Sequence, residues 1–163
     1  MKKSLNAWSV PGNVGFEEMF AALSAAGFDG VELNVDSAGA HALTMETSRE
    51  ELAKIAGLSE KYNLAVSGIS TSLGGKTGSD SAEVREFQKR LIFKQIEFAK
   101  ALGADGILTV PGGMSESVSL LKAHENSLKF YDEIKADVAA EKVFVCVENV
   151  WNDFFSSPFH MKS

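Results

Sequence analysis

Apolar runs of strand length alternate with longer segments of helical period along this chain, and no other feature restricts its fold as tightly. Short apolar runs bounded by turn residues read as strands, whereas apolar residues at i, i+3, i+4 and i+7 read as a helix. Their alternation implies βαβ units around a parallel sheet. Ser4 to Trp8 is the first candidate strand; Phe16, Met19, Phe20 and Leu23 then recur at helical spacing, with Gly27 at the C-terminal cap. "GVELNV" from Gly30 predicts strand two. Ser48 with Glu51 forms a capping box for a helix running to about Tyr62, and "LAVSGIST" predicts strand three. A helix over 82–102 carries Val84, Phe87, Leu91, Phe98 and Leu102 on one stripe and closes at Gly103. "DGILTV" predicts strand four, ending in "PGG"; a helix from about Ser117 to Glu141 leads to strand five, Val143 to Glu148. Pro158 predicts the opening of a fifth helix.

The segments "AAGFDGVEL" and "ALGADGILT" repeat a helix end, a glycine, Asp-Gly and a strand about 75 residues apart, the length of two βα units. Such repetition suits a (β/α) barrel. A closed barrel of eight units takes about 250 residues, whereas 163 residues hold about four and a half units, strands one to five. The reading is therefore a single domain, residues 1–163, with an α/β fold that forms part of a parallel (β/α) barrel. An open α/β sheet is the alternative, and the stop in mid-unit favours a piece of a barrel. A partial barrel leaves two strand edges unpaired, and self-association into a homo-oligomer is expected to cover them.

A net charge of −6 and a pI near 5.1 disfavour nucleic acid as a partner, because a phosphate backbone calls for a basic face and the 16 Lys and Arg are scattered among acids. No stretch is long and apolar enough to span a membrane. Pro11 and Gly12 interrupt the N-terminal segment, so no signal peptide is expected. Cys146 is the sole cysteine, which fits a cytoplasmic setting; within "VFVCV" it reads as a small core residue.

In parallel α/β folds, functional groups gather at the carboxyl ends of strands. Those ends carry Asn6 and Trp8, then Glu32 and Asn34, Ser70 and Ser72, Pro111 to Gly113, and last Glu148 and Asn149. A carboxylate closing a buried strand must be paired, hydrogen-bonded or metal-bound, which makes Glu148 the leading candidate. Glu32 is a second, against a plain reading as an edge-strand surface acid. Trp8 and Trp151 read either as packing or as substrate contacts. "SLGGKTGSD" imitates a phosphate loop, but Ser70 stands where that loop needs a glycine, so a flexible loop is expected. His41, His124 and His160 show no metal-binding spacing.

From "LNAW" through "GVELN", "VSGISTSL" and "LGADGILTVPGG" to "VENVWNDFFSSP", the chain resembles the xylose isomerase-like sugar isomerases and epimerases, which are TIM barrels. The resemblance implies a divalent metal, Mn, Mg, Co or Zn, held by a Glu on strand five and by Asp, His and Glu on strands six to eight. Glu148 matches the first ligand and would also be one of two glutamates that move a proton next to a sugar carbonyl. The other ligands match nothing in this chain, so the chain alone is expected to be inactive and to lack a complete metal site. Substrate contacts are expected from Trp8, Glu32, Asn149 and Trp151. The family's ketohexose 3-epimerases carry a further Glu six residues past the metal ligand, where Phe154 stands here, so that specificity is not expected. The function implied is isomerisation or epimerisation of a sugar or sugar phosphate by a full barrel. Alternatives are a non-catalytic open α/β module for small-molecule binding or assembly, and an endonuclease IV-like metal hydrolase; the histidine-poor strand ends disfavour the last.

Overall fold

The predicted alternation resolves into real elements, and every described α-helix after the first starts at a serine whose side chain accepts a backbone N–H. The computed structural model describes residues 1–154; Pro158, with its expected fifth helix, and His160 lie outside them. The elements are β1 (Ser4–Asn6), a 3-10 turn (Ala7–Ser9), α1 (Phe16–Ala25), β2 (Gly30–Val35), α2 (Arg49–Tyr62), β3 (Ala65–Thr71), α3 (Ala82–Leu102), β4 (Gly106–Thr109), α4 (Leu120–Glu141) and β5 (Phe144–Val147). At α2 the expected capping box forms: Ser48 Oγ accepts the Glu51 N–H at 3.2 Å, and the Glu51 carboxylate accepts the Ser48 N–H at 2.7 Å. Ser81 and Ser119 cap α3 and α4 through their hydroxyls alone, accepting the Val84 and Lys122 N–H, so α4 begins at Leu120 rather than at Ser117. Gly103 ends α3 in the left-handed region at φ 73°.

All strand pairings are parallel, and the strands lie in chain order, β1-β2-β3-β4-β5. Right-handed crossovers between sequential neighbours put every helix on one face of the sheet. On that face Val31, Leu33, Val35, Val66, Ile69 and Ile107 pack against Phe20, Ile55, Leu91 and Ile96 in one core. Strand alternation sends the intervening residues to the other face. There Ser4 and Ser67 share a hydrogen bond at 2.6 Å, and Asn6 joins Glu32 and Asn34. Helices outside and polar groups inside are the layers of a (β/α) barrel, of which these strands make up part.

Strands β1 and β5 also differ from the sequence reading. β1 stops at Asn6, because the Asn6 side chain accepts the Trp8 N–H at 2.8 Å and turns Ala7–Ser9 into a 3-10 helix. β5 is not buried: Phe144 is 73% exposed, Val147 38%, and Cys146 is exposed rather than a core residue. An apolar run reads as a strand covered on both faces. β5 is the last strand of the sheet and pairs only with β4 among the described residues, so its apolar side chains meet water.

Candidate functional site

At the carboxyl ends of the strands lies a cleft of about 740 Å³ that Trp8, Glu32, Glu148, Asn149 and Trp151 all line. Residues nearly 150 positions apart in the chain meet there because sequential parallel strands all end on the same side. Among its described lining residues are the acids Glu32 and Glu148 and no Lys, Arg or His.

Asn6 organises the β1 and β2 side. Its amide donates to Glu32 Oε2 at 2.5 Å and to Asn34 Oδ1 at 3.2 Å, while its oxygen accepts from Asn34 at 3.1 Å and from the Trp8 N–H. Asn34 is buried, so this reciprocal pair satisfies its amide. Glu32 is thereby held rather than left as an edge-strand surface acid. Asp36, which sequence reasoning passed over, accepts the Trp8 indole N–H at 2.6 Å and the Ser72 backbone N–H at 2.9 Å. Its place just past a strand end was the available signal.

The β3–α3 segment expected to be a flexible loop is a packed wall. Gly75 N–H donates to Val110 O at 3.1 Å and Gly78 N–H to Gly112 O at 2.6 Å, knitting it to the "PGG" after β4. Thr77 is fully buried and bonds Ser127 of α4 at 2.9 Å. A Cβ at Gly78 would stand 2.2 Å from Ala123 O, so Gly78 serves close backbone approach, while Gly75 takes a left-handed turn at φ 83°. Asn152 adds the β5 side, donating to Pro111 O at 2.8 Å. Behind the wall, burial pushes the Tyr131 hydroxyl above its ordinary range, opposed by hydrogen bonds with Thr109 and Thr77.

Glu148 continues the β4–β5 ladder through its N–H to Thr109 O at 3.0 Å. Its side chain is exposed and accepts no hydrogen bond among the described residues, so desolvation does not explain it; an open carboxylate facing a cleft does. As a single oxygen donor it fits one ligand of a hard divalent cation. No three His, Cys, Asp or Glu side chains converge for a metal among the described residues. His41 Nδ1 lies 2.7 Å from Val14 O and its Nε2 3.2 Å from Ala7 O, away from the cleft lining, and His124 is half-buried on α4. Phe154, at the position where ketohexose 3-epimerases carry Glu, is 2% exposed in a small cluster with Val118 and Ala123. It serves packing, not the cleft.

The sequence pattern of the xylose isomerase-like TIM barrel matches residues 20–162, most of the chain. The chain belongs to this family. Among solved structures the family member resembles a D-psicose 3-epimerase solved in the presence of D-fructose, with a TM-score of 0.73 and 20% identity over 96% of this chain and 55% of that one. It also resembles an AP endonuclease, family 2, from Brucella melitensis (TM-score 0.69, 20% identity, 92% of this chain and 56% of that one). A third is the IolI protein with a bound zinc atom (TM-score 0.69, 15% identity, 90% and 51%). The chain spans about half the length of the structures it matches, and at these identities the likeness is one of fold. No curated protein matches the chain.

Proposed function

We propose that this family member contributes the first five strands of a sugar isomerase or epimerase site, acting on a sugar or sugar phosphate by proton transfer next to a carbonyl. The observation that carries the reading is the cleft with two carboxylates of unlike environment, Glu32 held by Asn6 and Glu148 open. Moving a hydrogen beside a carbonyl needs a base that can approach carbon and return the proton, and an unheld carboxylate meets that need. Glu148 takes this role. Glu32, fixed by its donor, accepts from a substrate hydroxyl, the Asn149 amide donates to another, and Trp8 and Trp151 offer aromatic faces. An acidic lining without Lys, Arg or His repels a phosphodiester backbone and a sugar phosphate alike and suits neutral hydroxyls, which favours an unphosphorylated sugar over a sugar phosphate or nucleic acid.

A divalent cation (Mn, Mg, Co or Zn) would bind through Glu148 together with ligands from outside the described residues, and when bound supplies positive charge beside the carbonyl oxygen. The sugar epimerase and the zinc-bound neighbour support this part of the reading through fold alone. In protein expressed from its complete reading frame and supplied with these metals, Glu148→Gln is expected to lower turnover of a ketose and aldose panel by about 10²–10⁴-fold. Wild-type rates in that variant would sink the assignment.

A second reading rests on the exposed Phe144 and Val147 of β5, which favour an assembly module that buries this strand against a second copy. Light scattering decides it: a concentration-dependent dimer supports assembly, and a monomer at all concentrations removes it.

A further inference from the structure

Asp36 is the first residue past β2, and its carboxylate gathers donors from the loops that follow both neighbouring strands. Oδ2 accepts the Trp8 indole N–H at 2.6 Å. Oδ1 accepts the Ser72 backbone N–H at 2.9 Å and the Ser72 hydroxyl. The Trp8 backbone is fixed separately, through its N–H to Asn6 Oδ1 at 2.8 Å. Yet Trp8 is 53% exposed and lines the cleft. A tryptophan kept for packing buries its rings. This one leaves about half its surface in water while its N–H edge is tied by a charge-assisted bond to an acceptor that Ser72 holds still. Trp151, on the β5 side of the same cleft, is 96% exposed and its indole N–H has no such partner among the described residues.

We propose that Asp36 is a positioning residue that locks the Trp8 indole as a fixed aromatic platform at the cleft rim, receiving the C–H face of a sugar. The inference rests on the sugar reading of the cleft and deepens it. An indole face is electron-rich and attracts the weakly positive C–H bonds of a sugar ring, while the hydroxyls remain free for Glu32 and Asn149. Fixing the ring before the ligand arrives removes an ordering cost equivalent to about two- to tenfold in affinity. Because Asn6 holds both the Trp8 backbone and Glu32, the platform and the hydroxyl acceptor keep a set spacing.

The chain has two tryptophans, so Trp151→Phe leaves Trp8 as the only indole emitter. In that background, Asp36→Ala is expected to give the Trp8 fluorescence anisotropy a fast rotational component and to raise acrylamide quenching at least about twofold; Asp36→Asn, which keeps one acceptor oxygen, restores part of the order. Unchanged anisotropy and quenching in Asp36→Ala overturn the lock. Should Asp36→Ala fail to fold, Asp36→Ser, whose shorter side chain cannot reach the indole N–H, carries the same readout, and wild-type behaviour there overturns it. With Trp151 intact and the complete reading frame expressed, Asp36→Ala is expected to raise KM for the sugar about two- to tenfold with kcat changed less than about twofold. A fall in kcat at constant KM overturns the platform role and leaves the sugar reading standing. A wild-type protein that turns over no sugar in the panel fails that reading itself, and the platform with it.

Discussion

Replacing Gly112 with alanine tests whether the cleft wall is held by close backbone approach. Gly112 is not among the glycines with positive φ, so alanine suits its backbone and the whole penalty is contact. The added Cβ would stand 2.3 Å from Gly75 O, 3.0 Å from Gly75 C and 3.0 Å from Asn152 Nδ2, whereas ordinary contact begins at 3.4 Å. The nearest atom is a backbone oxygen, which no rotamer change can move. Relief therefore requires the β3–α3 and β4–α4 loops to part. That strains Gly75 N–H to Val110 O at 3.1 Å, Gly78 N–H to Gly112 O at 2.6 Å and Asn152 Nδ2 to Pro111 O at 2.8 Å. At about 1 kcal/mol for each bond, the loss is about 3 kcal/mol, and for a domain of this size the melting temperature falls by about 6–12 °C. Gly57→Ala is the matched control: an exposed site inside α2 with nothing within 4 Å of the new Cβ. It removes a helix-interior glycine and is expected to raise the melting temperature by about 2 °C. Circular dichroism melts of the two variants beside wild type decide the matter. Equal melting temperatures for Gly112→Ala and wild type, within about 1 °C, would refute the packed wall.

Ser48→Ala removes the α2 cap, and a melting temperature about 2–4 °C below wild type is expected in the same assay. Tyr131 has its folded-state pKa raised, chiefly by burial, so its stabilisation is complete below the unfolded value of about 10 and is lost as pH rises through the folded value. Urea titrations should show stability declining above about pH 10 in wild type and a shallower decline in Tyr131→Phe; parallel curves would contradict the assignment.

The helices were legible because their signals are local. Ser48 and Glu51, the stripe of α3 and Gly103 are each set by a few neighbouring residues, and each stands where periodicity and capping place it. Strand order and the meeting of Trp8, Glu32, Glu148, Asn149 and Trp151 at one cleft also follow from alternation, since parallel strands in sequence leave their carboxyl ends together. What escaped depends on tertiary position. "VFVCV" has the composition of a covered strand, and only its place at the sheet edge exposes it. The glycines of "SLGGKTGSD" look like freedom until Val110, Gly112 and Ala123 close against them. Asp36 is one acid among many in the sequence, and its role depends on donors 28 and 36 residues away.

Carbon-bound hydrogen exchange tests the central claim most directly, because it reads proton removal without requiring net conversion. Protein from the complete reading frame, loaded with Mn or Zn, would be incubated with each ketose of the panel in D₂O and followed by NMR. Deuterium entering the carbon next to the carbonyl with wild type, and slower by at least about a hundredfold with Glu148→Gln, is the expected result. Equal incorporation by both proteins would contradict the role of Glu148, and no incorporation by wild type from any sugar would contradict the proposed reaction.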